Sequence, residues 1–124
     1  MTNQVQTEKT KKYDLEERTA KFGEQIIFFV KTLADNAIHR ILISQIVRSA
    51  TSVGANYMEA DVAESKKDFQ HKIGICKKEA KETIHWLRMI AATIPNQKDK
   101  CDLLRKEAHE LTLIFAAIIN NSRK

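Results

Sequence analysis

The stretch FQHKIGICKKEAKETIHWLRMI, residues 69–90, has the most regular hydrophobic pattern in the chain. Its apolar and small residues recur at alternating steps of four and three: Phe69, Ile73, Cys76, Ala80, Thr83, Leu87 and Ile90. Residues three and four apart lie on the same side of an α-helix, so this pattern predicts a long amphipathic helix. Ser65 and Asp68 have the spacing of a capping box at its start, with Asp in place of Glu, and Pro95 ends it.

The segments on either side of this stretch are also helical in pattern. One face of residues 14–33 carries Leu15, Thr19, Phe22, Ile26, Phe29 and Leu33, and one face of residues 98–120 carries Leu104, Ala108, Leu111, Phe115 and Ile118. Together with residues 37–63 they make four long helices joined by short links, which pack as antiparallel neighbours. We therefore predict an all-α fold, an antiparallel up-down-up-down four-helix bundle over residues 14–121.

The composition agrees with a single helical domain. The chain has 124 residues, of which only three are Gly and one is Pro, too few for the many tight turns of an all-β or α/β fold. Residues 1–13 are polar and nearly free of apolar side chains, and we expect them to form a disordered tail.

The predicted second helix, residues 37–63, is apolar on two faces. One seam contains Leu42, Ile46, Ser49, Val53, Asn56 and Ala60, and the other contains Ile43, Val47, Ala50 and Gly54. Such a helix is either central in a bundle or also packed against another subunit. Its small residues between positions 49 and 55 would let another backbone approach closely.

The charge and the cysteine content indicate which partners and which cellular compartment to expect. The 21 Lys and Arg exceed the 16 Asp and Glu, and the net charge of +5 permits an anionic partner such as RNA or DNA. Cys76 and Cys101 lie in no metal-binding pattern, so we expect two half-buried free thiols in a reducing compartment. The chain shows no signal-peptide pattern and no long apolar run, which indicates a cytoplasmic protein without membrane association.

The cations of the third helix gather on one side. On a helical wheel of about 100° per residue they occupy one sector, which we call the basic face: Lys66, Lys67, Lys77, Lys78, Lys81, His85 and Arg88. The basic face is roughly 30 Å long. A row of cations suits phosphate binding, because affinity comes from neutralising charge and releasing counterions. An ordinary solvated surface is the alternative interpretation.

Catalytic and metal-binding patterns are weak. Glu82 and His85 form one E-x-x-H, but a di-iron bundle site needs a second copy and two further carboxylates. Arg105 and His109 resemble the R-x4-6-H of helical ribonucleases, but only three residues separate them. We therefore predict no metal, no cofactor and no enzymatic activity, with a nuclease as a third hypothesis.

Three blocks of the sequence resemble a known family. Residues 46–60, IVRSATSVGANYMEA, resemble the signature helix of the 23S ribosomal RNA intervening-sequence proteins. Residues 67–69, KDF, resemble the next block, and residues 78–87, KEAKETIHWL, resemble the third. The resemblance covers residues 15–121.

This resemblance implies a four-helix bundle that assembles as a homopentamer. It also implies kinship with the accessory protein of diversity-generating retroelements, which binds nucleic acid through a basic surface and associates with a reverse transcriptase. Six residues match motif positions and are interpreted as a structural polar network between the second and third helices: Arg48, Ser49, Asn56, Glu59, Glu79 and Glu82.

Two functional hypotheses follow from the sequence. The first is a non-catalytic, homo-oligomeric scaffold that binds RNA or DNA through the basic face. The second is a protein-interaction adaptor, such as an accessory subunit of a reverse transcriptase, with no direct nucleic-acid role.

Overall fold

Four long α-helices and one 3₁₀ turn make up the computed structural model, which describes the backbone of residues 4–123 and the side chains of residues 14–123. The helices are α1 (Gln4–Val30), α2 (Ala37–Asp61), α3 (Lys66–Thr93) and α4 (Lys98–Ser122), and the turn is Pro95–Gln97. Since these described residues contain no strand, the prediction of an all-α fold is confirmed.

Side-chain caps set the starts of α2 and α3. Both Asn36 and Ser65 have an extended backbone, and the side-chain oxygen of each accepts a hydrogen bond from the backbone N–H three residues ahead. The donors are His39, at 2.9 Å, and Asp68, at 3.0 Å. The spacing of Ser65 and Asp68 indicated the second cap, whereas the cap by Asn36 had not been predicted.

The first helix begins at Gln4 rather than at the predicted Asp14. Residues 4–13 contain neither Gly nor Pro, so nothing in this segment interrupts helical hydrogen bonding. Residues 4–13, which we predicted to be part of a disordered tail, therefore belong to the backbone of helix α1. Residues 1–3 and all side chains up to residue 13 lie outside the described part of the chain.

Neighbouring helices are antiparallel, because residues later in one helix contact residues earlier in the other. In α1 and α2, Thr19 lies against Gly54, and Gly23 lies against Ala50, which precedes Gly54. Between α3 and α4, Gln70 contacts Ser122 at one end of the pair, and the 3₁₀ turn joins the other end. This is the antiparallel order of the predicted bundle.

Most of the core consists of residues that the periodicity placed inside, joined by Val30, Tyr57 and Cys101, which it did not. Fully buried side chains from all four helices meet there, including Phe22, Ile46, Ile73, Leu87 and Phe115.

The cysteines were expected to be half-buried, and that expectation is wrong. Cys76 and Cys101 are free, and each has no exposed surface. Cys76 stands in the apolar seam of α3, and Cys101 lies one turn before buried Leu104 on the same side of α4, so both point into the bundle.

The small residues of α2 allow α1 to approach closely. A Cβ atom added at Gly54 would lie 3.4 Å from Thr19 Oγ1, and one added at Gly23 would lie 3.6 Å from the backbone of Ala50 and Thr51. The close approach that the sequence indicated is therefore made at least in part within the chain.

Candidate nucleic-acid interface

The basic face lies on the outside of the bundle. Six of its seven members are exposed, and Lys77 is half-buried. Among the residues described with side chains, no carboxylate lies within ion-pair distance of any of its cations. Within residues 14–123, the positive charge of this face is therefore not balanced by ion pairs.

Helix α4 borders one edge of the basic face. Gln70, which lies within the same sector of α3, donates its side-chain amide to the backbone carbonyl of Ser122 at 3.2 Å and to its hydroxyl at 3.0 Å. Lys66 and Lys67 lie one turn before Gln70, so the basic face begins where the two helix ends meet.

Helix α2 borders the opposite flank of α3 and holds its carboxylates. Arg48 donates from Nη1 to Oε1 of Glu79 at 3.1 Å, and its Nη2 forms an ion pair with Glu82. Glu82 also accepts a hydrogen bond from the indole N–H of Trp86 at 3.0 Å. One arginine thus pairs with both carboxylates of this flank, which lies away from the basic face.

A buried pair of hydroxyl groups extends this network into the core. Ser49 Oγ and Thr83 Oγ1 lie 2.8 Å apart. Thr83 also donates to the backbone carbonyl of Glu79 at 2.8 Å, and Ser49 lies 3.3 Å from the carbonyl of Ile46. Within residues 14–123, every buried side-chain nitrogen and oxygen has a hydrogen-bond partner.

The six residues that match the family motif do not form one network. Arg48, Ser49, Glu79 and Glu82 come together as described above. Glu59 forms a separate link from α2 to α3, because it pairs with Lys72 at 2.7 Å and raises the pKa of that lysine.

Among the described side chains, Asn56 is hydrogen-bonded within α2 rather than to α3. Its amide donates to the carbonyl of Ser52, one turn earlier in its own helix, at 2.8 Å. Sequence reasoning also missed Lys72 and Thr83 as polar partners. Both residues lie on the flank of α3 that faces α2, and this position on the helical wheel could have identified them as partners.

The structure separates the groups of the weak catalytic motifs. Glu82 is held by Arg48 and Trp86, whereas His85 is exposed on the basic face and meets Trp86 edge-on with ring centroids 4.9 Å apart. Arg105 lies 3.5 Å from Asp102 in an ion pair. Over the part of the chain with described side chains, no three His, Cys, Asp or Glu residues gather as metal ligands do.

Comparison with known families gives a match over most of the bundle. The family model described as "23S rRNA-intervening sequence protein" matches residues 11–117. The chain belongs to this family. The match spans all three sequence blocks and most of the four helices, and it confirms the resemblance inferred from the motifs.

A solved structure supports the family fold. A crystal structure of a protein of unknown function from the S23 ribosomal protein family of Bacteroides thetaiotaomicron superposes with a TM-score of 0.81 and 30% sequence identity. The alignment covers 89% of this chain and 98% of that chain. None of the curated proteins matches the sequence.

A further finding concerns the membrane. In the described part of the chain, none of the helices combines the length and the apolar character that crossing a bilayer requires.

Proposed function

We propose that this protein is a non-catalytic, homo-oligomeric scaffold of the cytoplasm that binds RNA or DNA through its basic face. One observation carries the proposal. Seven cationic or titratable side chains lie along one side of α3 without ion-pair partners in the described structure, while Glu79 and Glu82 lie on the other flank and pair with Arg48.

The length and charge of the basic face suit a polyanion. Cations spread over roughly 30 Å of helix can each neutralise a phosphate and release its counterion. If about five of them do so, log K falls by roughly 3.5 to 4.5 for each tenfold rise in salt concentration. Fluorescence anisotropy with labelled RNA and DNA at several salt concentrations measures this slope. A protein that binds neither nucleic acid at low salt contradicts the proposal.

The oligomer, a homopentamer by family resemblance, is supported by apolar surface outside the core. Phe28 is 62% exposed and Leu103 is 68% exposed, and both line one groove between α1 and α4. Assembly would cover such side chains and bring several basic faces together, which strengthens the field that a polyanion meets. Molar mass in solution tests the assembly, and a monomer at micromolar concentration contradicts it.

A groove between α1 and α2 favours a second candidate, a protein-interaction adaptor such as an accessory subunit of a reverse transcriptase. The groove has a volume of about 610 Å³ and is lined by small and apolar residues that include Ala20, Ile27, Ala55 and Met58. Co-purification of a stoichiometric protein partner, with no nucleic-acid binding by the purified chain, supports the adaptor over the scaffold.

A further inference from the structure

We infer that the ligand of the basic face is double-stranded nucleic acid, held through the phosphates of both strands without reading the base sequence. This inference rests on the proposed function and names its ligand class. Three observations support it: a second row of basic residues on α4, the position of Gly74, and the absence of aromatic side chains from the described basic face.

Helix α4 presents two arginines and one histidine beside the basic face. Glu107 pairs with Arg18 of α1, which identifies the flank of α4 that faces α1. Arg105 is half-buried on the other flank of the same helix, the one next to α3, where it also forms a 3.5 Å ion pair with Asp102. Arg123 recurs on that flank. His109 lies between them and is exposed. We call these three residues the α4 row.

The antiparallel register aligns this row with the basic face. Gln70 and Ser122 are opposite each other. Equal steps along both helices from this contact bring Arg88 level with Leu104, next to Arg105. At the other end, Arg123 follows Ser122 and is level with Phe69, within one turn of Lys66. The two rows of cations therefore run side by side over the same length of the bundle.

Two parallel rows match two phosphate strands. Packed helix axes lie about 8–10 Å apart, so the rows are separated by a distance comparable with the widths of duplex grooves, roughly 6 and 12 Å. A duplex offers a phosphate strand to each row at the same time. A single strand offers only one line of phosphates, which the basic face alone can engage.

Gly74 lies in the middle of the basic face. Steps of three, four and seven residues place it among Lys67, Lys77, Lys78 and Lys81. A Cβ atom added there would meet nothing within 4 Å, so no packing within the chain requires a glycine at this position. Mid-helix Gly costs about 1 kcal/mol relative to Ala. The missing side chain leaves room for a phosphate backbone to approach the four surrounding lysines.

The face lacks the rings that single-strand binding uses. Proteins that hold single strands stack bases on aromatic side chains between the cations. In the described structure, the other residues that share this sector of α3 between Lys66 and Arg88 are Gln70, Gly74 and Ile84, none of them aromatic. The ring of His85 already packs edge-on against Trp86. Cations without stacking rings favour recognition by shape and phosphate charge, which is how duplexes are bound.

The test compares duplex and single-stranded probes of equal length, about 20 nucleotides, by fluorescence anisotropy. A 30 Å face covers roughly 9 base pairs at 3.4 Å each, so the probes span it fully. Duplex RNA and duplex DNA are compared with oligouridylate and oligothymidylate. We expect roughly tenfold tighter binding of the duplexes, together with a steeper salt dependence. Equal or tighter binding of the single strands overturns the inference, and binding of neither kind overturns the proposed function itself.

Two variants test the α4 row and the position of Gly74 separately. Replacing Arg105 and Arg123 by Gln should reduce the duplex salt slope by roughly two and leave the single-strand slope unchanged. Gly74→Gln adds a neutral side chain at a position where an added Cβ atom would meet nothing within 4 Å, so the variant should fold and bind duplex more weakly. The matched control replaces Lys100 and Lys106, which are exposed on α4 away from α3, by Gln. If both variants bind duplex with the same affinity as the control, the inference is overturned.

Discussion

The hydroxyl oxygens of Ser49 and Thr83 lie 2.8 Å apart in the seam between α2 and α3, where neither residue has any exposed surface. Each hydroxyl also contacts a backbone carbonyl of its own helix, that of Ile46 or of Glu79. A buried polar pair of this kind is tolerated because its hydrogen-bonding groups are satisfied. It also fixes the register of the two helices, since a shift by one turn would leave both hydroxyls without their partner across the seam.

Removing the Thr83 hydroxyl tests how much its hydrogen bond with Ser49 contributes to stability. Thr83→Val keeps the side-chain shape, takes away the bond to Ser49, and should lower the free energy of unfolding by about 1 kcal/mol. Urea denaturation measures the change. The matched control is Thr93→Val in the same helix, since exposed Thr93 makes the same kind of bond to the carbonyl of Met89 at 2.8 Å. Equal losses in the two variants would show that the buried pair adds nothing.

The ion pair of Arg48 with Glu79 should be energetically coupled. Glu79 keeps only 14% of its side chain exposed, so loss of Arg48 leaves a mostly buried carboxylate without its cation. A double-mutant cycle with Arg48→Ala and Glu79→Gln should give a coupling energy of roughly 1 kcal/mol. The fully solvated pair of Arg40 with Asp35 is the control and should couple less strongly. A coupling no larger than that of the control contradicts a structural role for the Arg48 network.

Stability should decline at alkaline pH because of the buried thiols. Burial raises the pKa of Cys76 to about 12 and also raises that of Cys101. In the unfolded chain a thiol ionises near its ordinary pKa of about 8.5, so above that pH the unfolded state binds fewer protons than the folded state. The stabilisation is therefore complete below about pH 8.5 and is lost as the pH rises towards 12.

Urea denaturation between pH 8 and pH 10 measures this dependence. Cys76→Ala removes the thiol, so its free energy of unfolding should fall less steeply with pH than that of the unchanged protein. The difference in slope should approach 1.4 kcal/mol per pH unit at the upper end of the range. Parallel pH profiles for the two proteins would contradict the assignment of this loss to Cys76.

Much of the fold was predictable because the burial pattern repeats along each helix. The alternation of four and three placed Phe22, Ile73, Leu87 and Phe115 correctly in the core. Helix ends were less predictable: α1 extends to Gln4 because a segment without Gly or Pro can continue a helix.

The candidate site was predictable only where one helix determines it. A wheel of α3 alone separates the basic face from Glu79 and Glu82, and the structure keeps that separation, although Lys72 lies on the carboxylate flank. Contacts between helices need the register of the bundle, which the sequence does not state. Asn56 matched a motif position yet bonds within α2, whereas Lys72 matched none and pairs with Glu59.

The most direct test of the central claim is a charge-reversal measurement on the basic face. Lys67, Lys78 and Lys81 are exposed, so their replacement by Glu changes charge without disturbing the core. The control replaces Lys21, Lys31 and Lys100, which are exposed around α1 on the far side of the bundle, and gives the same net charge. Nucleic-acid affinity is measured for both variants as a function of salt, after circular dichroism has shown equal helicity.

We predict that the basic-face variant loses most of its affinity and that its salt slope falls by roughly three, while the control changes far less. Equal losses in the two variants would mean that net charge alone governs binding, and this would contradict the assignment of nucleic-acid recognition to the basic face of α3.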